Sequence, residues 1–248
     1  MVRSRFIPVL LLDGTGLIKT KQFKRYKYLG DIINALKIFN EKQVDELCIF
    51  DLSSSISGGP NFRLLENVAR QANMPLCYGG GISSVDQAKR LISIGFEKIS
   101  LSQMSYSHSE LIKEISDAVG SQSVVVTIDV RKSMFTGYSM YVDRGQKKIN
   151  VNLFDHINNM VTNGVGEICI NNIDRDGMRT GYDIELAKKI NDMVSVPQTY
   201  VGGCGGKQDI NALIKAVGPI GVGVGSEYVF RGKLDAVLIN YYRAWVKF

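Results

Sequence analysis

The chain has 248 residues, of which 45% are hydrophobic and 22% charged, the balance of an ordinary globular protein long enough for one barrel domain or two small ones. No apolar run approaches the roughly 20 residues that a bilayer-spanning helix needs, which sets a membrane protein aside. The net charge of +6 is dispersed among carboxylates and comes with no stacking-aromatic motif, so nucleic acid is not an expected partner.

In chain order, the opening stretch MVRSRFIPVLLLDG holds a short apolar run that ends in a charge. It reads as a buried strand and not as a secretion signal. Short β-branched or apolar runs predict strands over residues 6–12, 47–50, 75–78, 98–101, 124–128, 168–170, 199–201 and 220–224. Between them apolar residues take helical spacing, as in Ile32, Ile33, Leu36 and Phe39, and in Val85, Ala88, Leu91 and Ile92. Eight strands alternating with helices predict an α/β chain whose parallel sheet is covered on both faces and closes into a (β/α)8 TIM barrel, one domain over 1–248.

Several segments stand out on the way. Lys19, Lys21, Lys24, Arg25 and Lys27 follow the first strand; they form either a solvated loop or a basic loop that draws in an anionic substrate. Residues 131–150, after the fifth strand, read as one long polar loop. His108 and His156 fall in helix-like outer segments and read as surface residues, and Trp245 as packing in a last helix. Cys48, Cys77, Cys169 and Cys204 lie in apolar or glycine-rich strand-like stretches and read as free buried thiols in a reducing cytoplasm. With no CxxC pair and two histidines, no metal is expected.

The chain also repeats itself. Asp51 and Asp174, Gly80 and Gly203, and Ser102 and Gly225 share one offset, and Glu46 with Glu167 and Cys48 with Cys169 share a slightly shorter one. Locally, ELCIFDLSSS matches EICINNIDRD, and LCYGGGIS matches TYVGGCGG. The expectation is two fused half-barrels, about 1–120 and 121–248. Both glycine clusters, 79–81 and 202–206, then follow strands at the C-terminal face, where barrel enzymes carry their sites. Glycine lets backbone N–H groups approach a phosphate closely. Two related clusters imply two anion sites facing each other, with Ser102 and Gln103 completing the first and Gly225 and Ser226 the second. That suits a ligand with a phosphate at each end.

The strings DELCIFDLSSS, CYGGGISS, SQSVVVTIDV, GEICINNIDRDGMRTGYD and VGGCGG resemble, from end to end, the cyclase subunit of imidazole glycerol phosphate synthase, the HisF-type family. IDRDGxxxGYD, which covers Asp174, Asp176, Gly177 and Asp183, is a specific signature. The resemblance implies a cytoplasmic lyase of histidine biosynthesis that works without a cofactor. It takes ammonia from a glutaminase partner on the N-terminal face and forms imidazole glycerol phosphate at the top of the barrel. It implies phosphate contacts at Gly81, Ser102 and Gln103 in one half, and at Asp176, Gly177, Gly203, Gly225 and Ser226 in the other. It places Asp51, Asn171 and Asp174 against the substrate, and Lys19 near it among the catalytic residues. Arg5, Glu46, Lys98 and Glu167 match a ring of charges that gates an ammonia channel.

The family works with two catalytic aspartates, at the ends of the first and fifth strands; paired carboxylates can divide general acid and base work. Asp129 supplies the fifth-strand one. Leu11 stands where the first belongs. Asp13 lies two residues further, on the same side of a strand but about 7 Å along it; it is either a displaced catalytic carboxylate or part of a turn with Gly14 and Gly16. The string IPVLLLDGTGLIKT resembles a subgroup associated with amidation of sugars in bacterial surface polysaccharides such as the O-antigen of lipopolysaccharide, in which the barrel passes ammonia toward a separate sugar amidotransferase. That subgroup is the expected assignment. The alternatives are the authentic cyclase, and a non-catalytic ammonia conduit or scaffold.

Overall fold

The chain builds its sheet from β1 (Arg5–Asp13), β4 (Leu47–Asp51), β5 (Leu76–Gly79), β6 (Lys98–Leu101), β7 (Val124–Ser133), β10 (Glu167–Asn172), β11 (Gln198–Val201) and β12 (Gly221–Val224). Each pairs in parallel with the next in that order. β12 also pairs with β1, so the sheet closes on itself. The computed structural model describes residues 3–133 and 137–244. Helices α1 (Ile32–Glu41), α2 (Phe62–Gln71), α3 (Val85–Ser93), α4 (Gln103–Ser107), α5 (Ser109–Val119), α6 (Leu153–Thr162), α7 (Ile184–Asn191), α8 (Lys207–Val217) and α9 (Ser226–Val229) lie between the strands. This is a (β/α)8 barrel, and every strand expected from the sequence is present.

Period-two alternation along the strands divides each into two faces. On β1, Phe6, Leu10 and Leu12 face the helices and join the large outer core, while Ile7 and Val9 face inward. Inside the barrel they meet Cys48, Cys77, Val125 and Cys169. The inward side chains stack in layers from one barrel end to the other: Arg5, Ile7, Val9 and Leu11 on β1, and Glu167, Cys169 and Asn171 on β10. Each layer has a different chemistry, and that is what positions the site.

Two antiparallel ribbons rise from the C-terminal ends of barrel strands, and both correct the sequence reading. The first, β2 (Gly16–Lys21) and β3 (Lys24–Asp31), continues β1 through a tight turn. It carries the basic cluster, so that cluster is strand and not loop. Leu17 and Ile18 anchor it in the core, and Lys19 itself is buried. The second, β8 (Gly137–Val142) and β9 (Lys147–Ile149), occupies the stretch read as a polar loop. Its signal is the alternation Tyr138, Met140, Val142, of which Met140 and Val142 are buried. Lysines and glycines at both ends mask that period. A short pair, β13 (Phe230–Arg231) and β14 (Ala236–Val237), follows α9.

His156 is a further correction. It is buried, stacked on Tyr106 at 4.3 Å between ring centroids, with Nε2 3.2 Å from Ser105 Oγ. Leu153, His156, Ile157 and Met160 form the inner stripe of α6, and a lone polar residue in such a stripe goes inward with it. Burial lowers its pKa to about 4, so the ring is neutral near pH 7. His108 is exposed. Trp245 lies outside the described residues, and residues 238–244 before it form no helix. All four cysteines are buried free thiols. Among the described residues, no helix is long and apolar enough to cross a membrane.

Candidate active site

A cavity of about 460 Å³ opens at the C-terminal ends of the barrel strands. Leu11 and Phe50 of β1 and β4 line its floor with Thr127, Asp129 and Asn171 of β7 and β10. Gly79–Gly81, Ser102 and Gln103 form one wall, and both ribbons lean over the rim through Phe23, Tyr26 and Arg144.

Asp129 is the chemically distinct group on the floor. It is half-buried, and one carboxylate oxygen accepts a hydrogen bond from Asn171 Nδ2 at 2.9 Å. Burial raises its pKa to about 7; the Asn171 bond opposes the shift and the Asp176 charge adds to it. A carboxyl balanced near neutrality can both take and give a proton. The same shift is a strain on folding. The folded pKa exceeds the unfolded one, so stability is fully present below about pH 4 and is lost as pH rises through about 7. Asp129→Asn is therefore expected to raise the thermal midpoint at pH 8 and to leave it unchanged near pH 4. The gain is at most about 4 kcal/mol by the conversion of pKa to free energy, less what solvent in the cavity already offsets. Equal midpoints at pH 8 would mean that the carboxyl carries no such penalty.

Asp51 also faces the cavity, but its carboxylate is committed to the turn after β4. It accepts from Ser53 N at 3.0 Å, Ser53 Oγ at 2.8 Å, Ser54 N at 3.1 Å and Tyr78 Oη at 3.0 Å. Gly80 and Gly81 press onto that turn. A Cβ on Gly80 would lie 2.5 Å from the Asp51 carbonyl, and φ there is 148°, which favours glycine.

Several sequence-expected residues lie outside the cavity lining. Asp13 is exposed at the tip of β1, paired with Gly16 across the tight turn. Lys19 is buried, and its Nζ donates to the Val9 carbonyl at 3.0 Å. A Cβ on Gly225 would stand 2.4 Å from that Nζ. Burial lowers the pKa of Lys19, against the raising effect of Asp176. Asp174 accepts from the Lys132 N–H at 2.9 Å. Asp176 accepts from Thr20 Oγ1 at 2.6 Å and from the Phe23 N–H at 3.2 Å. Gly177 packs beneath the Thr20 carbonyl, Gly203 beside that of Gly181, and Ser226 is buried. Gly177 and Gly225 are thus packed against the β2–β3 ribbon, while Gly81, Ser102, Gln103, Asp51, Asp129 and Asn171 share one cavity.

At the opposite barrel end the four sequence-expected charges meet. Arg5 pairs with Glu46 and, at 2.7 Å, with Glu167. Lys98 reaches Glu46 at 3.1 Å and Glu167 at 2.8 Å. The ring is closed and alternates in sign. Burial opposes the charged form of Glu167, but Arg5 and Lys98 outweigh it and lower its pKa. Between this ring and the upper cavity lies a small void of about 20 Å³, lined by Val9, Cys48, Cys77 and Cys169 among others. Phe50, Ser100 and Thr127 line both voids. Burial raises the Cys169 pKa, and the hydrogen bond with Cys77 together with burial raises that of Cys48, so both thiols are uncharged near pH 7.

A closed parallel barrel with a cavity at the C-terminal ends of its strands is the architecture of the (β/α)8 enzymes, which carry their chemistry at that face. A family model described as histidine biosynthesis protein matches residues 5–235, and the chain belongs to this family as a HisF-type barrel. It is 47% identical over 243 residues to a protein of Leptospira borgpetersenii provisionally named imidazole glycerol phosphate synthase subunit HisF, covering 97% of this chain and 96% of that one. It is 43% identical over 242 residues to a Pseudomonas aeruginosa protein provisionally named subunit hisF2, covering 97% and 96%. A Lactococcus lactis protein named imidazole glycerol phosphate synthase subunit HisF is 32% identical over 212 residues, covering 85% and 82%.

Proposed function

We propose that this chain is the ammonia-accepting barrel of a glutamine amidotransferase complex, and that it serves amidation of a surface-polysaccharide sugar instead of making imidazole glycerol phosphate. The observation that carries the reading is Leu11. An apolar side chain lines the cavity at the position where the family resemblance puts a catalytic aspartate, while the charge ring at the other end is complete.

In this reading a HisH-type glutaminase docks on the N-terminal face, and ammonia passes the ring and the interior void. It emerges in a cavity that holds a phosphorylated ligand against Gly81, Ser102 and Gln103. A second anion sits at Asp176, Gly177, Gly203, Gly225 and Ser226, beside the β2–β3 ribbon that Asp176 holds through Thr20 and Phe23. The matched glycine groups reflect two half-barrels with one ancestor. The exposed large hydrophobics among the described residues all stand on segments leaving the C-terminal ends of barrel strands, Leu234, Ile56 and Tyr28 being the most open. An apolar surface there supports a second protein, the sugar amidotransferase, on the upper face. The authentic cyclase is the second reading, and the raised pKa of Asp129 favours it.

Reconstitution with the HisH-type glutaminase tests the assignment. The expected result is a complex in which the barrel stimulates glutamine hydrolysis and releases ammonia, with no imidazole glycerol phosphate from the histidine-pathway intermediate. Turnover of that intermediate at about 1 per second, an ordinary enzymatic rate, would establish the cyclase instead. Absence of any complex would remove the ammonia role.

A further inference from the structure

The upper cavity has an unusual charge balance for a site that takes a phosphorylated ligand. Its lining holds three carboxyl groups, Asp51, Asp129 and Asp143, and one guanidinium, that of Arg144. Four other cations near this face are engaged elsewhere. Lys19 donates to the Val9 carbonyl, Arg131 pairs with Asp174, Lys132 with Glu185, and Arg179 with Asp235. A dianionic phosphate entering the cavity therefore has a single positive side chain to meet.

Arg144 is fixed in place at the rim. It is half-buried, and Nη2 donates to the Leu52 carbonyl at 2.8 Å. A carbonyl fixes the side chain without neutralising it, and among the described residues no carboxylate lies within ion-pair distance of Arg144. Leu52 belongs to the turn after β4 on which Gly80 and Gly81 press, a Cβ on Gly81 falling 2.9 Å from Ser54. The guanidinium and the glycine wall are thus mounted on one support. The backbone that presents it is strained. Asp143 and Arg144 have φ of 52° and 53°, left-handed values that side-chain-bearing residues rarely adopt. The turn is held by a bond from the Gln146 N–H to the Asp143 carbonyl at 3.0 Å and by Gly145 packing on Phe23.

We propose that Arg144 is the specificity-determining cation of this cavity, taking the oxygens of a phosphomonoester dianion seated against Gly79–Gly81. The planar fork of a guanidinium matches two phosphate oxygens at once, which a lysine cannot do. The proposal rests on the reading of the cavity as a phosphate site.

Calorimetric titration with glycerol phosphate, and with glycerol as the uncharged control, tests it. The native chain binds glycerol phosphate and not glycerol. Arg144→Gln weakens that binding by about ten- to a hundredfold, the range for a lost hydrogen bond to a charged group. Arg144→Lys keeps the charge without the fork and falls between the two. Lys148→Gln, an exposed change on the same ribbon, leaves binding unaltered, and thermal unfolding verifies that each variant is folded. Native-like affinity in folded Arg144→Gln, or an equal loss in Lys148→Gln, overturns the role of Arg144 alone. Failure of the native chain to bind glycerol phosphate overturns the phosphate reading and the role with it.

Discussion

Glu167→Ala is expected to be among the most destabilising single changes in this barrel. Glu167 receives Arg5 at 2.7 Å, Lys98 at 2.8 Å and the Thr199 hydroxyl. Removing it leaves two cations facing each other at a barrel end where only Glu46 remains to pair with them. Breaking a buried pair from one side costs about 3–5 kcal/mol, and for a chain of this length each kcal/mol moves the midpoint by roughly 2–4 °C. A fall on the order of ten degrees follows. The sign of its pH dependence is also set. The Glu167 pKa is lowered from 4.5, so its contribution is full above pH 4.5 and is lost as pH falls through the lower folded value. The gap between native and Glu167→Ala should therefore be widest near neutrality and close in acid. A native-like midpoint at pH 7 would show that the ring carries no net stability. Lys98→Ala asks the separate question of gating: in the glutaminase complex, ammonia delivered per glutamine hydrolysed should fall.

The barrel was legible because each strand is a short apolar run bounded by turn residues, and because eight of them alternate with helical stripes. The two ribbons were not. Their exposed faces carry Lys24, Arg25, Lys147 and Lys148, which hide the alternation of the inward residues. His156 shows the same limit, since its surroundings are set by the three apolar neighbours that share its stripe and not by its own polarity. In the site, Asp129 and the 79–81 glycines could be read from their places at strand ends. What could not be read is that Lys19 is buried with its Nζ held by the Val9 carbonyl, outside the cavity lining. Arg144 was hidden for the same reason as its ribbon. Asp143 and Gly145 are turn residues, but nothing local shows that the turn folds back over the barrel mouth.

Leu11→Asp is the change expected to have the largest effect on chemistry. A general acid or base contributes about 100- to 10,000-fold to a rate, and under the proposed reading Leu11 of the cavity lining replaces one carboxyl of the pair. The native chain is therefore expected to make imidazole glycerol phosphate very slowly or not at all, even with free ammonium supplied. Leu11→Asp should raise that rate by up to this factor, because Asp129, Asn171 and the glycine wall are in place. A second carboxylate on the same floor also repels the first. Asp129 already titrates near 7 through burial, and a like charge pushes the upper apparent pKa of the pair higher. The rescued activity should then extend to more alkaline pH than a single buried carboxyl permits. Asp13→Asn is the control: Asp13 is exposed beyond the cavity lining, and its loss should alter neither rate. A robust native rate abolished by Asp13→Asn would make Asp13 the displaced catalytic carboxylate and the inactive-cyclase reading wrong. A robust native rate untouched by Asp13→Asn would mean that one carboxyl, Asp129, suffices for the chemistry.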